Sequence, residues 1–160
     1  MHAQSTHRVV VGVDGSPRTV AALRWAASEA LRREAELYAV LAWGDTCRLA
    51  SYAPVTDPAT PAECAHRAGE RLAAAVRAAF GTSPPVPVRE VVDERAPVPA
   101  LLGHARDADL LVLATRGAGS DSPGSITMAC LRQPPCAVVV LPDAVTAPAE
   151  PTPTGAGAAR

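Results

Sequence analysis

Arg8-Val9-Val10-Val11-Gly12-Val13, running into Asp14-Gly15-Ser16-Pro17, is the stretch whose reading decides the fold. From Val9 onward the run is apolar, mostly β-branched and without alternation, which is the pattern of a central parallel strand covered on both faces. The four residues after it read as a strand-to-helix turn. Gly15 permits a sharp bend, the Ser16 hydroxyl suits a helix cap, and Pro17 suits the first helical position, where no amide hydrogen is needed. A helix over residues 18–33 is predicted to follow, with Val20, Leu23, Ala27, Ala30 and Leu31 at helical spacing and Arg24, Arg32 and Arg33 on other faces.

The alternation of strand and helix continues along the chain. Residues 37–43 read as a second strand, and 61–80 as a helix carrying Ala65, Ala68, Leu72, Val76 and Ala79 on one face and stopped by Gly81. Between them, residues 44–60 are aperiodic and carry Pro and Asp, as in a surface loop that covers a cleft or simply connects. A third strand is predicted over 86–92, a helix over 96–108 with Pro97 and Pro99 in its first turn, a fully apolar fourth strand over 110–114, a helix from Ser125 to about Gln133, and a fifth strand over 136–141. Five apolar strands separated by four helices specify an α/β, doubly wound, parallel sheet. Ligands of such sheets lie beyond the carboxyl ends of the strands, where strand order reverses. Residues 1–7 are read as a flexible N-terminus, 8–142 as one domain and 143–160, rich in Pro and Ala, as a disordered tail.

Composition narrows the function. A chain of 160 residues has room for one good core, burying roughly 70% of the surface its unfolded form exposes. Aromatics make up only 3% against an apolar fraction of 48%, so Ala, Val and Leu must fill that core, with helices lying close on the sheet. A net charge of −1 and no block of like charges argue against nucleic acid or an anionic lipid surface as partner. All 15 basic residues are Arg. The absence of Lys excludes a Walker A phosphate loop, a Schiff base and a lysine general base. Cys47, Cys64, Cys130 and Cys136 lack C-x-x-C spacing and are read as reduced core thiols; Cys64 and His66, two apart on a helix, point to different faces and do not share a metal. No apolar run approaches the ~18 residues of a membrane span, and no signal-peptide pattern opens the chain, so a cytoplasmic location is expected.

Two fragments carry a resemblance. The opening Val9 to Pro17, followed by Ala22-Leu23-Arg24-Trp25-Ala26, is similar to the start of universal stress protein domains. Asp107-Ala108-Asp109-Leu110-Leu111-Val112-Leu113-Ala114-Thr115-Arg116-Gly117 and Pro135-Cys136-Ala137-Val138-Val139-Val140 resemble that family's fourth and fifth strands. The resemblance implies an open five-stranded sheet in the order 3-2-1-4-5, of the adenine nucleotide alpha hydrolase-like type. It also implies a homodimer joined along the fifth strands, and membership in either a branch that binds ATP or one that does not.

The two branches differ in the loop after the fourth strand. ATP-binding members carry G-x2-G-x9-G-S/T there, and this chain has Ala114-x2-Gly117-x6-Gly124-Ser125, with Ala in place of the first Gly and a spacer three residues shorter. Glycines let amide hydrogens approach phosphate oxygens, and the following helix offers its unsatisfied N–H groups and positive dipole end. Gly117, Gly119, Ser120, Ser122, Gly124 and Ser125 keep the loop rich in donors, with Ser125 as N-cap and phosphate ligand and Arg116 reaching a phosphate directly. Against binding, the shorter spacer removes about 10 Å of extended reach. Asp121, about 8 Å from a phosphate at an effective dielectric near 20, would repel it by about 2 kcal/mol.

Carried over by resemblance, Asp14 meets the ribose or metal-bridged phosphates and is the candidate Mg²⁺ ligand, Ala42 contacts adenine, and Val13, Gly15, Ser16, Ala114 and Ile126 complete the nucleotide contacts. An adenine-nucleotide module and a dimer acting through protein contacts are the two leading readings. Catalysis beyond weak ATP hydrolysis is not expected, since no second carboxylate, His or Lys is paired with Asp14 at short spacing. His104 is read as a helix surface residue. A dinucleotide oxidoreductase is disfavoured because the glycines follow the fourth strand rather than the first. A smaller anion in the short loop, or phosphorylation of Ser120 or Ser122 beside Arg116, is a further alternative.

Overall fold

The computed structural model describes residues 7–44, 59–115 and 124–142. The expectations for residues 1–6, for 45–58 of the long loop, for Arg116, Gly117 and Gly119, and for the tail 143–160 lie outside the described residues. The elements run β1 (Arg8–Gly12), α1 (Pro17–Arg32), β2 (Glu36–Ala42), α2 (Pro61–Phe80), β3 (Val88–Asp93), α3 (Pro97–Ala105), β4 (Leu110–Ala114), α4 (Ser125–Arg132) and β5 (Ala137–Leu141). The five strands form one parallel sheet, as the sequence predicts, in the order β3-β2-β1-β4-β5 that the family resemblance implies. Val9 stands in register with Leu37 on one side and Leu110 on the other, and Val11 with Ala39 and Val112.

Strand β1 alternates its side chains between two cores. Val9 and Val11 face α1 and α2 together with Leu23, Leu37, Leu72 and Val112, while Val10 faces α3 and α4 together with Val40, Leu111 and Cys130. Both sets are fully buried, which is why the strand reads as a continuous apolar run. α1 meets the sheet through Ala22, Ala26, Ala27 and Ala30, none more than 1% exposed. The predicted face is thereby shifted: Leu31 is 60% exposed, and the alanines between the larger residues make the contact. The aromatic residues Trp25, Trp43 and Phe80 pack only at the margin of this core.

The lower edge of the sheet is tied by Asp109, whose carboxylate accepts from the Arg8 N–H at 2.8 Å while its own N–H donates to the Arg8 carbonyl at 2.9 Å. That hydrogen bond holds the Asp109 carboxyl below the usual range. α2 is closed at both ends. Thr60 and Glu63 form a reciprocal capping box at its start. At its finish Arg24 of α1 donates to the Ala79 and Ala78 carbonyls at 3.0 and 3.2 Å, satisfying two groups that the helix itself leaves open. Cys64 in α2 is disulfide-bonded, which corrects its reading as a reduced thiol; Cys130 and Cys136 are free, and Cys47 lies outside the described residues.

Beyond the end of β3, a charged clamp fixes the turn into α3. The Asp93 carboxylate accepts from Arg95 Nε at 2.9 Å, Arg95 Nη2 at 2.6 Å, the Arg95 backbone N–H at 2.9 Å and His104 Nε2 at 3.0 Å. His104 is thus paired and three-quarters buried, correcting its reading as a surface residue. Gly103 makes room for the clamp, since a Cβ there would stand 2.7 Å from Arg95 Nη1.

Two outcomes test this packing. Leu72→Ala removes a fully buried side chain that seats α2, and should lower unfolding free energy by about 2–5 kcal/mol in urea titrations; a loss below about 1 kcal/mol would show that α2 is not anchored there. Hydrogen bonds from Arg95, first through its side chain, hold the Asp93 carboxyl well below the usual carboxylate range. A depressed folded-state pKa means that the stabilisation is complete above the unfolded value of about 3.9 and fades as pH falls below it. Asp93→Asn should therefore cost about 1–3 kcal/mol at pH 7, with the gap to the unaltered chain flat above about pH 5 and narrowing below about pH 4.

Candidate functional site

Strand order reverses at β1, which has β2 on one side and β4 on the other, and a cavity of about 150 Å³ opens beyond the carboxyl ends of these three strands. Its lining includes Gly12, Val13 and Asp14 after β1, Leu41 and Ala42 at the end of β2, Leu113 and Ala114 at the end of β4, and Ile126 and Thr127 in the first turn of α4. Arg71 of α2 and Pro97 of α3 close it from either face of the sheet. Five predicted site residues, Val13, Asp14, Ala42, Ala114 and Ile126, are brought together here from three strands and a helix.

The turn after β1 explains their placement. The Val13 N–H donates to the Val40 carbonyl at 2.8 Å, extending the pairing of β1 with β2 one residue past the strand. Asp14 then turns the chain: its Oδ1 accepts from the Ser16 N–H at 2.8 Å, and Gly15 takes the left-handed conformation at φ +79°. Ser16 is the N-cap of α1 with Pro17 behind it, as predicted, yet its hydroxyl caps no amide; Ser16 Oγ is buried with no hydrogen-bond partner among the described residues. The cap is made instead through Thr19, whose N–H and hydroxyl both donate to the Ser16 carbonyl at 3.1 and 2.7 Å.

Across the cleft, Gly124 is the N-cap of α4 and Ser125 its first helical residue, exposed to solvent. This corrects the assignment of Ser125 as N-cap; the glycine takes that place, and the serine is left with its amide hydrogen at the open end of the helix. Neither Gly15, Ser16, Gly124 nor Ser125 lines the cavity itself; they stand at the turns beside it. Gly12, by contrast, is part of the floor, where a Cβ would come within 3.1 Å of Leu113 and 3.2 Å of Leu101.

Sequence reasoning passed over Arg71. It lies one position before the fully buried Leu72 on α2, and its Nη2 donates to the Asp14 backbone carbonyl, bracing the turn after β1 from the neighbouring layer. A side chain at position 15 would collide with it, since a Cβ there would stand 2.9 Å from Arg71 Nε. Arg71 and Asp14 are the only charged residues in the described lining. The i, i+4 pair Arg67 and Arg71 was the available signal, but on an amphipathic helix it reads as solvated surface. No group of three or more His, Cys, Asp or Glu able to hold a metal occurs among the described residues.

Comparison with known proteins agrees with this architecture. A universal stress protein of Mycobacterium tuberculosis H37Rv is 30% identical over 143 residues, covering 84% of this chain and 47% of its own length. The chain thus spans about half the length of the curated relatives it matches. Among solved structures, the universal stress protein of Archaeoglobus fulgidus superposes with a TM-score of 0.63 at 23% identity, covering 84% of this chain and 97% of that one. A universal stress protein in complex with cAMP superposes with a TM-score of 0.55 at 26% identity, covering 86% and 98%. The model of the Universal stress protein family matches residues 5–142, and with the sheet order and the cleft at its switch point this chain belongs to that family.

Proposed function

We propose that this chain is a regulatory module that binds an adenine nucleotide at the carboxyl ends of β1, β2 and β4. The observation that carries the reading is the cavity at the point of strand reversal, with a predominantly apolar floor and one carboxylate and one guanidinium at its wall. At about 150 Å³ it is half the ~300 Å³ at which pockets typically enclose a whole drug-sized ligand. It suits a single ring system, with the sugar and phosphates extending over the turn after β1 towards Ser125. The cAMP complex of a family member at 26% identity supports the same ligand class.

In this reading the backbone at Ala42 meets the edge of the adenine, and Val13 and Ile126 pack on its faces. Asp14, with Oδ1 committed to the Ser16 amide, presents Oδ2 to the ribose hydroxyls. The open N-terminus of α4, from Gly124, Ser125 and Ile126, faces the phosphates with unsatisfied amides and the positive end of its dipole. Arg116, Gly117 and Gly119 of the glycine-bearing loop belong to the same proposed contact set. A bound Mg²⁺ would neutralise phosphate charge, with Asp14 as its protein ligand. The proposal assigns binding and not turnover, in a cytoplasmic protein that pairs with a second copy along β5, the more apolar of the two edge strands.

Isothermal titration with ATP, ADP and AMP, with and without Mg²⁺, tests the reading on protein freed of carried-over nucleotide. Low-micromolar binding is expected, weakened at least tenfold by Asp14→Ala and more mildly by Ser125→Ala. No heat at millimolar ATP would assign the chain instead to the family's non-binding branch. Sedimentation at tens of micromolar should give a dimer, and a monomer there would remove the β5 assembly.

A further inference from the structure

We infer that Arg71 offsets the Asp14 charge in this cleft by contacting the phosphate of the bound nucleotide. The inference rests on the adenine-nucleotide reading above and goes further by assigning the charge balance of the site. Asp14 and Arg71 are the two charged residues of the described lining. A cleft with Asp14 alone would meet a phosphate with a like charge, and Arg71 cancels it. Arg71 is committed only in part. Its recorded hydrogen bond runs from Nη2 to the neutral Asp14 carbonyl, which uses one of five N–H donors and neutralises none of the charge. No ion pair between Arg71 and a carboxylate is formed among the described residues, whereas Arg95, Arg89, Arg33 and Arg32 each hold one.

The fold places the group on purpose-built ground. Leu72, Ala68 and Ala75 seat α2 against the sheet, which brings the exposed Arg71 to the boundary between the two layers. Gly15, lacking a side chain, lets the guanidinium lie within about 3 Å of where a Cβ would be. A planar fork held at one corner by a carbonyl keeps its remaining donors aligned for two phosphate oxygens. Position 71 supplies from a neighbouring helix the cation that a chain without Lys cannot take from a phosphate-loop lysine.

The test compares AMP with adenosine, which share base and ribose and differ by the phosphate, in titrations of the unaltered chain, Arg71→Gln and Arg71→Lys. Gln retains a donor for the Asp14 carbonyl and loses the charge; Lys retains the charge. Arg71→Gln should weaken AMP at least tenfold and adenosine less than twofold, Arg71→Lys should recover most of the AMP loss, and the salt dependence of AMP binding should flatten in Arg71→Gln. Equal AMP binding by Arg71→Gln and the unaltered chain, or parallel weakening of AMP and adenosine, would overturn the inference and leave Arg71 as a brace for the turn. An unaltered chain that binds neither compound overturns the nucleotide reading itself.

Discussion

Everything in this molecule depends on how closely α1 approaches the sheet. Ala22, Ala26, Ala27 and Ala30 place only methyl groups against the strands, with Leu23 as the one large side chain of α1 fully buried among them, so the helix sits close on β1 and β4. A core with so few large aromatics cannot fill a wide gap and has to close it. Closing it fixes the end of β1 relative to the start of α1 and leaves only the short path Val13-Asp14-Gly15-Ser16 to make the turn. Gly15 in the left-handed region and the Asp14 carboxylate on the Ser16 amide are the local consequence.

The centre of the sheet was readable because β1 and β4 are buried on both faces and show as unbroken apolar runs, Val9 to Val13 and Leu110 to Ala114; the half-buried edge strand β5 shows as the run Val138 to Leu141. Helix α2 was readable over its whole length, Pro61 to Phe80, with Gly81 as its stop, while the Thr60–Glu63 capping box at its start went unread. α3 was drawn three residues too long, since Arg106, Asp107 and Ala108 form the turn before β4 yet include no Gly or Pro to mark the stop. Ser125 was misplaced by one position because Gly and Ser both serve as N-caps and the sequence does not say which residue leaves helical geometry first.

The candidate site divides along the same line. Val13, Ala42 and Ala114 were named through the family resemblance, and the register of three parallel strands sets them around one opening. Arg71 and His104 were missed because their partners, the Asp14 carbonyl and the Asp93 carboxylate, lie 57 and 11 residues away and are reached only through tertiary packing. Periodicity reports which face of a helix is polar; it carries no information about which polar residue on that face has something to hold. The Cys64 bond belongs to the same class, since C-x-x-C spacing is a rule for metals and redox pairs and says little about other disulfides.

The two arginines that cross between α1 and α2 do so in opposite directions. Arg24 leaves α1 to grip the last carbonyls of α2, and Arg71 leaves α2 to grip the turn that precedes α1. Together they tie the pair at two levels, one at the carboxyl end of α2 and one at the turn that opens α1. The turn that carries Asp14 therefore takes its position from α2 as well as from β1, so that the cleft inherits the seating of a helix that is distant from it in sequence.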